Sequence, residues 1–141
     1  MGAGLVVCAA WLVGCRSAPD PGAHGVARAY PEGLARAGTL DIQVVRSGTR
    51  MTMTNTTARS LGAGTVWLNM QWSRPIPGFA SGETLTLELS EFLNEYGERF
   101  RAGGFFASER PDSIALTQVE TTDAAGGRAL IGLVTVVGTA E

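Results

Sequence analysis

Lysine is absent from this 141-residue sequence, and histidine and cysteine are nearly absent. All 11 basic residues are arginine, the one histidine is His24, and the two cysteines are Cys8 and Cys15. From residue 39 onward the chain therefore offers no thiol, imidazole or amine to serve as a nucleophile, a general base or a transition-metal ligand. It also lacks a G-x-S-x-G turn, a G-x-G-x-x-G loop and a phosphate-binding loop. We expect a non-catalytic protein with no cofactor and no metal; a hydrolase with an atypical carboxylate site is the enzymatic alternative, and it lacks a base.

Charge of either sign is also scarce. Only 17% of the residues are charged, and the net charge is −2. A nucleic-acid-binding domain needs a clustered basic face, and no run of arginines supplies one. We therefore expect no nucleic-acid partner.

The longest uncharged apolar stretch stands at the start of the sequence and stops at a cysteine. Residues 1–14 contain no charged side chain. This stretch is shorter than the roughly 20 residues of a membrane-spanning helix, but it suits the apolar core of a signal peptide. A buried N-terminal strand is the alternative interpretation, and a disulfide between Cys8 and Cys15 is a further one.

The tetrad Leu12-Val13-Gly14-Cys15 at the end of this stretch resembles the lipobox of bacterial lipoproteins. The resemblance implies that residues 1–14 are removed and that Cys15 carries the lipid that holds the chain to a membrane. In that family an aspartate after the cysteine marks retention in the inner membrane, and Arg16 stands there instead. The resemblance therefore implies an outer-membrane lipoprotein that faces the periplasm or the cell surface.

Residues 15–38 follow as a segment rich in alanine, glycine and proline, with few large apolar side chains. Such a composition does not bury enough surface to offset the entropy of ordering, so we expect a flexible tether. The predicted organisation is a signal peptide over 1–14, a lipidated cysteine and tether over 15–38, and a β domain over 39–141.

From residue 39 onward, apolar and polar side chains alternate with the period of a β-strand. The predicted inward-facing residues are Leu40, Ile42, Val44, Met51, Met53, Val66, Leu68, Met70, Trp72, Leu85, Leu87 and Leu89. Turn residues recur every 8–12 positions, and about seven short strands result. In strand count and patterning the chain resembles the immunoglobulin and fibronectin-III class, which implies an antiparallel β-sandwich.

Four details of the strands can be tested. Ser47-Gly48-Thr49 predicts a hairpin turn, and Pro75 and Pro77 exclude the stretch around them from a central strand. Residues 90–100 predict either a short helix capped by Ser90 or, as we prefer, a hairpin that turns at Asn94–Gly97. The last strand is apolar on both faces, which predicts a central position in a sheet.

Trp67, Asn69 and Gln71 are the candidate ligand-binding residues. If Trp72 faces the core, alternation places Trp67 on the opposite face, where an exposed indole beside two amides would suit a glycan or a peptide. The alternative is that Trp67 lies buried beneath the tether or beneath the proline-containing loop Ser73–Phe79.

The glutamates cluster loosely at Glu88, Glu91, Glu95 and Glu98. This cluster predicts a solvated rim neutralised by arginines, with a weak calcium site as the alternative. We also expect surface ion pairs among Arg99, Arg101, Glu109, Arg110 and Asp112, around the sequence GGFF.

These observations favour a membrane-anchored envelope lipoprotein whose β domain has a structural or protein-interaction role. The alternative is a carbohydrate- or peptide-binding module that uses Trp67. The expected partners are the membrane, through the lipid on Cys15, and an envelope protein or glycan.

Overall fold

The computed structural model describes residues 27–136, which form seven β-strands and one 3₁₀ turn. No helix in this part of the chain is long and apolar enough to cross a membrane. The elements are β1 (Ala35–Ser47), β2 (Arg50–Asn55), β3 (Gly64–Leu68), β4 (Trp72–Ile76), β5 (Thr84–Glu88), the 3₁₀ turn Leu89–Glu91, β6 (Thr117–Thr122) and β7 (Arg128–Val136).

All seven strands belong to one sheet in the order β4-β3-β6-β7-β1-β2-β5. The first and last strands, β1 and β7, pair in parallel at the centre, and every other neighbouring pair is antiparallel. The prediction of an all-β domain is confirmed, and so is the central position of the last strand. The parallel pair needs no crossover helix, because the rest of the domain connects its two strands.

The prediction of a two-sheet antiparallel sandwich is wrong: the mixed sheet curls into a half-barrel around a core on one face. Side chains from the connecting segments fill the space that a second sheet would occupy; they are Leu61, Phe79, Phe92, Phe100 and Ile114. Alternation reports which side chains point inward, but two facing sheets and one curled sheet give the same alternation.

The predicted inward residues of β1, β2 and β5 do point into the core. Ile42, Val44, Met51, Met53 and Leu87 are buried there, and Leu40 and Leu85 pack against it. β1 is the longest strand, and its register with β7 shifts between Arg36 and Thr39 and again between Leu40 and Gln43. Such bulges bend a strand, and Gly38 supplies the left-handed backbone (φ +82°) that the first shift contains.

The single alternating strand predicted for residues 65–72 is instead two strands joined by a tight turn. Asn69 and Met70 have φ values of 52° and 57°, and the N–H of Gln71 donates to the Leu68 carbonyl at 3.0 Å. As a result Met70 is exposed and Trp72 begins β4 at the edge of the sheet. Pro75 therefore lies on an edge strand, as its missing N–H requires.

The other predicted turns are confirmed. Gly48 and Thr49 connect β1 to β2, and Ser47 pairs with Arg50. After the 3₁₀ turn, Leu93 bridges Arg99 and the chain reverses at Asn94–Gly97, where Gly97 has φ +80°. The preferred hairpin interpretation of this stretch therefore holds.

Candidate functional site

The connection from the 92–100 hairpin to β6 is an irregular segment, residues 101–116, which we call the aromatic loop. Segments of this length without secondary structure are uncommon in small domains and are usually functional. Arg101, at its start, pairs with Asp112, which lies four residues before its end. The Arg101 guanidinium donates to Asp112 Oδ1 from both Nε (3.1 Å) and Nη2 (2.8 Å), and its backbone N–H donates to Oδ2 at 3.0 Å.

This pairing changes the pKa of both groups. Partial burial alone would raise the pKa of Asp112, but the hydrogen bonds from Arg101 and the charges of Arg101 and Arg46 lower it below its ordinary value. The same hydrogen bonds raise the pKa of Arg101. Both groups are therefore charged at neutral pH, and the base of the loop is held by a charge-assisted, two-pronged contact.

Arg46 of β1 and Asn69 of the β3–β4 turn also hold the base of the loop. Arg46 of β1 donates to the carbonyls of Asp112 and Ala102, the latter at 2.7 Å. Asn69 donates to the Ser113 carbonyl at 2.7 Å, and its Oδ1 accepts the N–H groups of Ala115 (2.8 Å) and Leu116 (3.1 Å). Because each contact reaches a backbone group, these hydrogen bonds fix the backbone at the base, and the burial of Ile114 in the core adds apolar packing.

The tip of the loop presents two phenylalanines to solvent. The side chains of Phe105 and Phe106 are each 95% exposed, and their rings contact each other edge to face with centroids 5.0 Å apart. Gly103 and Gly104 precede them with φ values of +80° and +123°, a left-handed backbone that favours glycine. These are the most exposed large apolar side chains among residues 27–136.

Basic residues flank the tip in the sequence. Arg99 and Arg110 are exposed and form no ion pair within the described part of the chain, and Arg99 donates to the Ser90 carbonyl at 3.1 Å. Glu109, in contrast, lies 3.4 Å from Arg101. The predicted surface ion pairs around GGFF are thus confirmed for Arg101 with Asp112 and Glu109. Among the charged residues between positions 99 and 112, the two without an ion pair in the described part of the chain are thus both positive.

Trp67 does not form the exposed binding face that the alternation allowed. Its side chain is fully buried on the face of the sheet opposite the core, where Arg28 and Tyr30 of the segment 27–34 contact it. We call this segment the N-terminal strap. The Tyr30 ring contacts the indole edge to face at 5.3 Å, and the Arg28 guanidinium lies 5.0 Å from its centre.

The strap is held by a buried carboxylate. Glu120 of β6 is 2% exposed, forms ion pairs with Arg28 and Arg128, and accepts the Trp67 indole N–H at 2.9 Å. Beside it, the Tyr30 hydroxyl donates to Gln118 Oε1 at 2.7 Å. The prediction that the flexible tether runs to residue 38 is therefore wrong for the strap and for the start of β1, whereas residues 15–26 lie outside the described region.

A cleft of about 390 Å³ opens between the strap, the β3–β4 turn and the 92–100 hairpin. Its lining combines two tyrosines, a methionine, two amides and two carboxylates: Tyr30, Glu32, Met70, Gln71, Asn94, Glu95 and Tyr96. Tyr96 is 79% exposed at the rim. Among the described residues that line the cleft, Glu32 and Glu95 carry the charge, and it is negative.

The three predicted ligand-binding residues are thus separated. Trp67 is buried, Asn69 uses its amide to hold the aromatic loop, and Gln71 lines the cleft. Cys15 lies outside the described residues. GGFF stood out in the sequence only through its flanking charges, although two adjacent phenylalanines after two glycines in a strand-free stretch were the available signal.

The glutamates considered as a calcium site take separate partners. Glu88 pairs with Arg50, Glu91 pairs with Arg74, and Glu98 accepts from the Asn94 amide. Within residues 27–136, no three histidine, cysteine or acidic side chains lie close enough together to hold a metal ion.

No protein-family model, no curated protein and no solved structure matches this chain.

Proposed function

We propose that this chain is a lipid-anchored protein of the bacterial cell envelope whose half-barrel acts by binding, without catalysis. The anchor rests on the tetrad Leu12-Val13-Gly14-Cys15 and on the uncharged apolar residues before it. With Arg16 after the cysteine, the proposed location is the outer membrane.

The proposed binding role rests on one observation, the fully exposed pair Phe105 and Phe106 on a loop whose base is pinned. Large apolar side chains exposed together on a surface lower solubility and often mark an interaction site. A pinned base with a projecting apolar tip is an arrangement that suits contact with another surface. The carboxylates best shielded from water, Glu120 and Asp112, are occupied by arginines, and this supports a role in binding rather than in acid–base chemistry.

Metabolic labelling with palmitate tests the anchor. We expect the wild-type chain to incorporate label and to fractionate with membranes, and the Cys15→Ala chain to do neither. Cys8→Ala is the matched control, because that residue lies within the segment that is removed. Equal labelling of wild type and Cys15→Ala would contradict the proposed anchor.

A second candidate function is recognition of a peptide or a glycan in the cleft. The observation that favours it is the combination of two tyrosine rings with amides and carboxylates around a concave space. Aromatic faces with nearby polar groups suit sugars, and the negative lining suits cationic peptide side chains.

Amide chemical-shift mapping against a panel of oligosaccharides and arginine-containing peptides tests this candidate. We expect shifts at Gln71, Asn94 and Tyr96, and we expect Tyr96→Ala to remove them. Phe105→Ala should leave the shifts unchanged. Shifts confined to other regions, or the same shifts in the Tyr96→Ala chain, would exclude the cleft.

A further inference from the structure

We propose that the tip of the aromatic loop inserts into the interfacial region of a lipid bilayer, with Phe105 and Phe106 among the upper acyl chains and Arg99 and Arg110 at the headgroups. The proposal deepens the function proposed above, on which it rests for the source of the bilayer. It assigns the domain a second membrane contact, separate from the lipid on Cys15.

The exposed area of the tip favours a bilayer over a protein surface. A stable protein interface buries about 800 Å² on each partner. Two phenylalanine side chains supply roughly 300–500 Å², and their neighbours Gly103, Gly104, Ala107 and Ser108 add little apolar surface. A bilayer needs no complementary shape, so two protruding rings are sufficient to contact it.

The charges beside the tip also fit a lipid surface. Arg99 and Arg110 are exposed and free of ion pairs within residues 27–136, and Arg99 donates one hydrogen bond to the Ser90 carbonyl at 3.1 Å. The two acids of the loop, Glu109 and Asp112, are engaged by Arg101. Arginines just behind apolar side chains place their guanidinium groups at the level of the phosphates. We therefore expect anionic lipids to strengthen the contact.

The contacts at the base of the loop would couple insertion of the tip to the orientation of the whole domain. The Arg101–Asp112 pair and the hydrogen bonds of Arg46 and Asn69 connect the base of the loop to β1 and to the β3–β4 turn. Residues 16–27 reach at most about 40 Å between Cys15 and the strap. A lipid on Cys15 limits the distance of the domain from the membrane to this length, and insertion of the tip would in addition set the orientation of the domain.

Fluorescence of a tryptophan at the tip tests insertion. The full chain carries Phe105→Trp in a Trp11→Phe, Trp72→Phe background, so that buried Trp67 is the only other indole. With phosphatidylglycerol–phosphatidylethanolamine vesicles we expect a blue shift of emission, quenching by lipids brominated on the acyl chain, and protection from iodide. The matched control is Tyr96→Trp in the same background, which we expect to stay accessible to iodide.

Two further chains separate this proposal from the anchor. We expect Arg99→Gln with Arg110→Gln to weaken tip quenching on anionic vesicles by about tenfold and to change it little on neutral ones. Adding Cys15→Ala should leave tip quenching in place at high vesicle concentration, even though it removes acylation. Failure of palmitate labelling alone would overturn the anchor, whereas a tip tryptophan equally open to iodide with and without vesicles would overturn insertion.

Discussion

Leu87 and Thr86 are neighbours on β5 with opposite environments. Leu87 is 5% exposed in the core, whereas Thr86 is exposed on the other face, opposite Thr52 of β2. Leu87→Ala should lower the free energy of unfolding by about 2–5 kcal/mol, because it leaves a cavity. Thr86→Ala should change it by less than about 0.5 kcal/mol. Urea denaturation of the two variants makes the comparison, and equal losses would mean that the strand faces are assigned wrongly.

Glu120 is the buried charge on which the strap depends. Its carboxylate meets Arg28, Arg128 and the Trp67 indole N–H at once. Arg28 and Arg128 are 38% and 63% exposed and regain water when the carboxylate is removed, so the main loss is the acceptor of the buried Trp67 indole N–H. Glu120→Ala should therefore lower the free energy of unfolding by about 1–3 kcal/mol. Acrylamide should also quench Trp67 more strongly in the variant, measured in a Trp11→Phe, Trp72→Phe background. An unchanged quenching constant would show that the strap stays in place without Glu120.

At the scale of elements, the base of the aromatic loop is held by Arg101 and Asp112, and the carboxyl group of this pair titrates in the acid range. The pKa of Asp112 lies below its ordinary value in the folded chain, so its contact with Arg101 stabilises the fold at neutral pH. That stabilisation is present above the unfolded-state pKa and is lost as the pH falls through the folded-state pKa. Asp112→Asn should therefore be less stable than wild type at pH 7, and the difference should shrink at pH 3.

Chemical denaturation of both chains at the two pH values checks this expectation. Glu109→Gln is the matched control, since Glu109 is largely exposed and lies 3.4 Å from the same arginine; it should change the stability little at either pH. A wild-type advantage over Asp112→Asn that is equally large at pH 3 and pH 7 would contradict the ionic role of this pair.

Local sequence pattern predicted the core-facing side chains of the strands but not the turn between β3 and β4. Alternation placed Ile42, Met53 and Leu87 in the core correctly, because local period determines which face a side chain takes. It missed the turn at Asn69 and Met70, since no glycine marks that turn. Hydrogen bonds between Asn69 and residues 113–116 stabilise it, and these residues are far away in the sequence.

Whether Trp67 is buried or exposed also depends on residues that are distant from it in the sequence. Alternation correctly put Trp67 on the face opposite Val66 and Leu68, but it gives no information on what covers that face. Arg28 and Tyr30 cover it, and the composition of residues 15–38 favoured a tether instead. Two side chains with specific partners were enough to order a segment that its average composition describes as flexible.

At the scale of the whole molecule, the alternation of apolar and polar residues does not predict the order of the strands in the sheet. The apolar last strand predicted a central position for β7, which is confirmed, but nothing in the sequence pairs it in parallel with β1. That pairing joins the two ends of the described chain, so the sheet is completed only when distant segments meet. Such non-local topologies fold slowly compared with helical domains of equal size.

The connecting segments of the half-barrel differ in where they place their aromatic side chains. Residues 89–100 contribute Leu89, Phe92 and Phe100 to the core, whereas the next segment turns two phenylalanines away from it. The proposed role of the aromatic loop follows from this contrast.

Photo-crosslinking from the tip within intact cells tests the central claim most directly. A diazirine analogue of phenylalanine replaces Phe105 in the full chain, and a second chain carries it in place of Tyr96. After irradiation in the cells that make the protein, mass spectrometry should find lipid attached at position 105 and none at position 96. Attachment of position 105 to a single protein, with no lipid adduct, would contradict the proposed bilayer contact.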